Sequence, residues 1–167
     1  MKRRIFKSIL CTLLVIALLA APMSALAASK VAYILKVSVP GSPGTYVRSG
    51  STIAGGKTSD IIGSLKNGAR VIYWGQKSGQ MLKVMTSNGT IGYVYQGNLK
   101  NYGAMSRKQV YLTKASTPVY KRSHTRKGTL GKNKPVFVYR VNGGWAMIKT
   151  LSGSSGYVKT SALKKAF

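Results

Sequence analysis

The stretch NGTIGYVYQGNL, residues 88–99, reappears in weaker form as SGSSGYVKTSAL, residues 152–163. Gly-Tyr-Val recurs after 64 residues, and in both stretches a Leu follows five residues after the Val. Self-similarity at a fixed distance is typical of a structural unit that occurs more than once in a chain. The sequence therefore predicts two copies of one small unit.

The similarity extends upstream of Gly-Tyr-Val in both copies. SDIIGSLKNGARVIYW, residues 59–74, matches KGTLGKNKPVFVYRV, residues 127–141, and SGQMLKVMTSNGTIGYV, residues 78–94, matches GGWAMIKTLSGSSGYV, residues 143–158. Three residue pairs anchor the alignment: Met81 with Trp145, Gly92 with Gly156, and Gly63 with Gly131. The last pair is 68 positions apart and the other two are 64, so the second copy is predicted to be four residues shorter between the anchors.

Strand and turn signals fill both copies. RVIYW, QVYLTKA and PVFVYRV are rich in β-branched and aromatic residues, which favour strands. Asn88-Gly89 predicts a hairpin, because both residues tolerate the positive φ angles of tight turns. No segment after Ala28 has a helical period. We therefore predict an all-β fold of two tandem small antiparallel β-barrels.

The N-terminus has the three parts of a secretory signal peptide. Four cations precede an apolar run over residues 9–21, and Ala25-Leu26-Ala27 offers small residues for cleavage near Ala27. The run is shorter than the roughly 20 apolar residues of a membrane span. We expect residues 1–27 to be removed, giving a secreted or wall-associated protein with no retained transmembrane segment.

The remaining chain divides into repeat 1, residues 28–104, and repeat 2, residues 105–167. Of 27 Lys and Arg residues, four lie in the predicted signal peptide, and Asp60 is the only acid, so the mature charge is +22. Repeat 1 carries +8 of this charge and repeat 2 carries +14. Such a surface attracts polyanions at long range.

The composition argues against catalysis and metal binding. Cys11, the only Cys, lies in the predicted signal peptide, and the mature chain has one His, His124, and one carboxylate, Asp60. General acid–base catalysis needs paired titratable groups, and a protein metal site needs three or four ligands. His124 lies in a polar loop and is expected to be solvated. We predict no catalytic residue, no metal site and no cofactor.

Three motifs of repeat 1 resemble the bacterial SH3 (SH3b) domain. They are TYVRSG at residues 45–50, IIGSLKNGARVIYW at 61–74 and GTIGYVYQGNL at 89–99, and repeat 2 is similar to a degenerate copy that begins with TPVYKRS. The resemblance implies two SH3-like barrels that bind cell-wall peptidoglycan, a role that such domains usually have as targeting modules of wall hydrolases.

The candidate ligand-binding residues are Trp145, Tyr120, Tyr46, Arg48 and Tyr157. A Trp after the Asn-Gly-Gly loop often walls the ligand groove in the wider SH3 fold, and ligand contact and plain packing are equally open for this one. Tyr157, like Tyr93, is also expected to fill the core with its ring. The Pro and Tyr that follow Gly-Tyr-Val in proline-binding SH3 domains are absent, so a polyproline ligand is not expected.

These observations predict a secreted, non-catalytic protein that binds peptidoglycan or an anionic cell-wall polymer, with a separate wall hydrolase as a further partner. The alternative is a secreted polycation that binds extracellular nucleic acid or anionic membrane surfaces. Export argues against an intracellular nucleic acid, and a basic amphipathic helix, which would favour membranes, is missing from the sequence pattern.

Overall fold

A computed structural model describes residues 30–51 and 60–167. The predicted signal peptide, residues 1–27, lies outside the described residues, as does the segment 52–59. The described part of the chain is all-β, as predicted, and its strands form two antiparallel sheets.

Each repeat forms one sheet. Sheet 1 contains β1 (Val31–Val37), β2 (Gly44–Arg48), β3 (Ile61–Lys66), β4 (Arg70–Ser78), β5 (Met81–Met85), β6 (Ile91–Tyr95) and β7 (Leu99–Ser106). Sheet 2 contains β8 (Val110–Thr113), β9 (Thr117–Tyr120), β10 (Arg126–Leu130), β11 (Pro135–Asn142), β12 (Trp145–Thr150), β13 (Ser155–Lys159) and β14 (Leu163–Lys165).

The two sheets have the same strand order. Sheet 1 runs β3-β2-β6-β5-β4-β1-β7, and sheet 2 runs β10-β9-β13-β12-β11-β8-β14. Each strand of sheet 2 thus has the same place in its sheet as the strand of sheet 1 whose number is lower by seven. The repetition seen in the sequence is therefore a repetition of topology.

Strand register confirms two of the three sequence anchors. Met81 pairs with Tyr95 in sheet 1, and Trp145 pairs with Lys159 at the same place in sheet 2. Gly92 pairs with the residue three positions after Met81, and Gly156 pairs with the residue three positions after Trp145.

The third anchor is wrong. Gly63 pairs with Val47, and in sheet 2 the residue paired with Val119 is Gly128, not Gly131. Gly63 and Gly128 are 65 positions apart, so repeat 2 is one residue shorter than repeat 1 between the anchors, and not four.

The turn that follows fits the corrected alignment. The residue before β4 that adopts positive φ is Gly68, at 84°, and its counterpart before β11 is Asn133, at 59°. Asn is the non-glycine residue that most readily enters this left-handed region. Both residues donate their backbone N–H to a strand-end carbonyl, that of Val37 in repeat 1 and that of Thr113 in repeat 2.

The predicted Asn88-Gly89 hairpin joins β5 to β6. Gly89 has φ 85°, and Gly153 has φ 98° at the same place in the hairpin between β12 and β13. Thr86 N–H donates to the Thr90 carbonyl at 2.9 Å across this turn. The turn needs positive φ at the glycine alone.

Each sheet curls around a hydrophobic cluster of its own. The cluster of sheet 1 consists of Leu35, Val37, Val47, Leu65, Val71, Val84 and Val94. The cluster of sheet 2 consists of Val119, Val136, Val138, Ala146, Ile148, Val158 and Leu163. Because almost every strand of a sheet contributes to its cluster, each sheet must be strongly bent rather than flat.

A third cluster joins the two sheets. It consists of Ala32, Ile72, Trp74, Met85, Val110, Phe137 and Leu151, drawn from both repeats. Successive side chains of a strand point to opposite faces, so β4 packs Val71 into sheet 1 and Ile72 into this shared cluster. β11 does the same with Val136 and Phe137. Both strands are therefore buried on both faces in their first halves.

The shared cluster, called here the inter-sheet core, uses matching surfaces. Ile72 pairs with Ile34 in sheet 1, and Phe137 pairs with Val110 in sheet 2. Contacts at the rim are also reciprocal. Gly89, in the β5–β6 hairpin of repeat 1, lies against the backbone of Asn133, just before β11 of repeat 2. The Arg70 guanidinium of β4 donates to the carbonyl of Leu151, in the β12–β13 hairpin of repeat 2, at 3.2 Å. The repeats thus face each other in an approximately twofold manner, as in an isologous dimer.

The chain passes between the repeats through β7 and a 3₁₀ turn. β7 continues beyond residue 104 to Ser106, which pairs with Val31, so the predicted repeat boundary lies inside this strand. A 3₁₀ turn, Arg107–Gln109, then leads into β8, and Ser106 and Gln109 form a capping box around it.

Gly92 and Gly156 are required by packing. Neither has a positive φ, so a left-handed backbone is not the reason for a glycine at these positions. A Cβ on Gly92 would lie 2.5 Å from Val47 Cγ1 and 2.7 Å from the Arg48 carbonyl oxygen. A Cβ on Gly156 would overlap Val119 in the same way. At both places the neighbouring strand occupies the space of a side chain.

Candidate ligand-binding faces

The face of each sheet that points away from its own cluster positions the candidate residues. On β12 and β13, Ile148 and Val158 are buried in the cluster of sheet 2, while Trp145 and Tyr157 alternate to the opposite face. Tyr157 is half-buried and lies outside that cluster. Its ring therefore does not fill the core, contrary to the prediction.

Trp145 is the centre of an aromatic group in sheet 2. Its ring lies 5.2 Å from the ring of Tyr120, edge to face, and 5.1 Å from the ring of His124. Lys159 is its cross-strand partner and holds its ammonium 4.0 Å from the indole ring centre. We call Trp145, Tyr120, His124 and Lys159 the Trp145 cluster. Ring edges and a cation are the partners that an indole face prefers.

The β9–β10 turn brings His124 to this cluster. Lys121 N–H donates to the Thr125 carbonyl at 2.8 Å, and His124 N–H donates back to the Lys121 carbonyl at 3.0 Å. His124 has φ 61°, an unusual value for a residue with a side chain. His124 is exposed, as expected, but its ring also contacts Trp145, which the sequence did not predict.

The corresponding face of sheet 1 is concave. A cavity of about 250 Å³ is lined by Thr45, Tyr46, Arg48, Met81, Tyr95 and Asn98. The Asn98 side-chain amide donates to the Thr45 hydroxyl at 2.7 Å and fixes one wall. Met81, the counterpart of Trp145, is buried at the floor. Sheet 1 therefore has a hollow where sheet 2 has the Trp145 cluster.

A second hollow adjoins the first. It has a volume of about 350 Å³ and is lined by Ser42, Pro43, Gly44, Thr45, Tyr46, Ser64, Leu65 and Lys66. Tyr46 is 56% exposed and stands between the two hollows. The Asn67 side chain holds the loop beside it, since its amide accepts from Val39 N–H at 2.8 Å and donates to the Val39 carbonyl at 3.0 Å.

The five predicted site residues thus fall on two separate faces. Trp145, Tyr120 and Tyr157 come together on sheet 2, where Tyr157 and Tyr120 are direct cross-strand partners. Tyr46 and Arg48 come together on sheet 1.

Some titratable groups lie away from these faces. Burial raises the pKa of Tyr73, and the neighbouring Tyr33, with ring centroids 6.2 Å apart, raises it further.

In residues 30–51 and 60–167, no three or more His, Cys, Asp or Glu side chains are placed to share a metal ion. The same part of the chain contains no helix long and apolar enough to cross a membrane.

Comparisons with known proteins give little beyond this geometry. No protein-family model matches the chain, and no curated protein matches it significantly. Among solved structures, NlpC2 and NlpC1 from Trichomonas vaginalis are each 16% identical to this chain over 80% of its length, with a TM-score of 0.36. The chain spans about half of each, 48% and 45% of their lengths respectively.

Proposed function

We propose that the protein is a secreted, non-catalytic cell-envelope-binding protein of the bacterial SH3 type. Its two curled sheets are then tandem SH3-like barrels, and its ligand is peptidoglycan or an anionic wall polymer. The observation that carries the proposal is the aromatic and cationic Trp145 cluster, on a chain whose predicted mature form has a charge of +22. Wall hydrolases are its expected partners, as separate chains.

Charge and shape have different parts in this function. Cations spread over the surface attract anionic polymers at long range and gain free energy from counterion release. The aromatic rings of the Trp145 cluster add contacts that do not depend on ionic strength. Two binding units on one chain raise the avidity for a repeating ligand through effective concentration, because the inter-sheet core holds both at a fixed distance.

The alternative ligand is extracellular nucleic acid. Bases stack on exposed aromatic side chains beside a cationic groove, and Trp145 and Tyr120 with Lys159 have this composition. Anionic membrane surfaces would be attracted by the same charge.

A pull-down on purified walls tests the proposal. The chain from Ala28 should bind intact walls strongly, bind walls stripped of anionic polymer more weakly but measurably, and produce no wall cleavage. Single-stranded oligodeoxythymidylate and anionic lipid vesicles serve as competitors. Absence of binding to either wall preparation, or complete displacement by either competitor at equal charge concentration, would contradict wall binding.

A further inference from the structure

Five side chains form a continuous row across sheet 2, on the face of the Trp145 cluster. The strand register places them directly opposite one another on β11, β12, β13, β9 and β10, in the order Arg140, Met147, Tyr157, Tyr120 and Arg126. Directly opposed residues point to the same face. The row therefore has an apolar and aromatic centre and a guanidinium at each end.

The dimensions of the row follow from strand spacing. Neighbouring strands lie about 4.8 Å apart, so four steps between five strands give a path of about 19 Å along the sheet from Arg140 to Arg126. Met147 is 38% exposed, and both arginines are exposed. The Arg126 guanidinium donates to the Thr129 hydroxyl at 2.7 Å, which orients this end of the row.

Further cations flank the row on both sides. On one side lies Lys159, opposite Trp145. On the other side lies Lys149, opposite Ser155, whose carbonyl accepts from the Lys127 ammonium at 2.7 Å. A ligand that carries oxyanions beside an apolar segment would thus meet positive charge along the whole row. A neutral ligand would leave that charge unmatched.

The same register in sheet 1 gives a different row. Lys83, Tyr93, Arg48 and Ile61 take the places of Met147, Tyr157, Tyr120 and Arg126. Its cations are internal and its last member is apolar. The pairs that flank it are Met81 with Tyr95 and Met85 with Ile91, which carry no charge. An apolar centre between terminal arginines is therefore a feature of sheet 2 and does not come with the fold.

We propose that the row on sheet 2 binds a linear anionic glycan, laid across the strands, with sugar rings over Tyr157 and Tyr120 and oxyanions at Arg140 and Arg126. The inference rests on the proposed wall-binding function and specifies the ligand class and its direction on the sheet. Guanidinium groups bind carboxylate and phosphate oxygens in a planar, paired geometry, so either oxyanion fits the two ends. Aromatic rings between them suit the flat apolar faces of sugar rings.

Calorimetry with graded oligomers tests the proposal. The probes are oligogalacturonates for carboxylate, glycosylated glycerol phosphate oligomers for phosphate, neutral N-acetylglucosamine oligomers, and oligodeoxythymidylate. The double variant Arg126→Gln with Arg140→Gln is compared with a control, Lys132→Gln with Lys164→Gln. The control removes the same charge from exposed residues outside the row.

We expect affinity for at least one anionic glycan to rise with length and to level off beyond about 19 Å. The arginine variant should lose about three- to five-fold per residue for oligomers of that length, the size of an exposed charge contact, and its salt slope should fall by about two. The control should lose less than about two-fold. The two anionic probes then show which oxyanion is preferred.

Three results would contradict the binding of an anionic glycan along the row. They are equal losses in the arginine variant and the control, equal binding of the neutral oligomers, and a stronger dependence on the two arginines for oligodeoxythymidylate than for either glycan. The wall pull-down of the same variants separates the two hypotheses. If walls are bound equally well by all variants, the wall-binding function stands while the row is rejected.

Discussion

The outward faces of the two sheets differ although their inward faces agree. Toward the core, both sheets place Val, Leu or Ile at matching positions, and both need a glycine where Val47 or Val119 fills the space of a side chain. Away from the core, Met81 of sheet 1 is replaced by Trp145 and Tyr95 by Lys159. Packing thus constrains the inward face of the strands and leaves the outward face to diverge where the inter-sheet core does not cover it.

The divergence has produced two kinds of surface. Sheet 1 presents two adjoining hollows on either side of Tyr46, and sheet 2 presents the Trp145 cluster with cations around it. Hollows suit a compact group, whereas a long charged row suits a polymer. The comparison predicts that specific binding to an anionic wall polymer belongs mainly to sheet 2.

The largest effect is expected where the two sheets meet. Phe137→Ala removes a buried ring from the inter-sheet core and should lower the free energy of unfolding by about 3–5 kcal/mol. Tyr139→Ala, on the same strand but 52% exposed, is the matched control and should cost under about 1 kcal/mol. Urea unfolding followed by circular dichroism measures both.

The shape of that unfolding curve also tests whether the sheets are independent. Because β4 and β11 are buried on both faces, the full chain should unfold in one transition, and Phe137→Ala should separate it into two. A loss below 1 kcal/mol, or two transitions in the unaltered protein, would show that the inter-sheet core contributes little.

A smaller effect should distinguish the two glycines. Gly92→Ala should cost more stability than Gly156→Ala, both within about 1–3 kcal/mol, because backbone cannot yield as a side chain can. A Cβ at Gly92 lies 2.7 Å from the Arg48 carbonyl oxygen, whereas at Gly156 the matching Tyr120 oxygen is 3.2 Å away. Gly103→Ala, with open space around its Cβ, is the control. The reverse order of Gly92 and Gly156 would refute this packing account.

The sequence predicted the strands and their duplication well, because alternating apolar residues and glycine turns are local signals. It failed at Gly131, although Gly63-Ser64-Leu65 matches Gly128-Thr129-Leu130 in the register that the strands adopt. It also missed the inter-sheet core. A strand with both faces buried, such as β11, has a continuous apolar run that does not say what covers its second face.

The candidate site was predicted in part for the same reason. Trp145, which follows the Asn-Gly-Gly loop, and Tyr120 are both predicted ligand residues, and the structure puts their rings together. His124 and Lys159 join them through cross-strand register and a turn, which depend on pairings far apart in the chain. The row from Arg140 to Arg126 could not be predicted from the sequence, because it depends on the order of the strands in the sheet.

The most direct test of the account compares one aromatic side chain from each face in wall binding at 1 M salt. Screening reaches about 3 Å there, so binding that persists comes from shape and apolar contact. Trp145→Ala in sheet 2 should weaken this salt-resistant binding about thirty-fold, the size of an interface hot spot, and Tyr46→Ala in sheet 1 should change it less than two-fold. Thermal melts check that both variants fold. A larger loss for Tyr46→Ala, or no salt-resistant binding in the unaltered protein, would contradict the claim that sheet 2 carries the specific site.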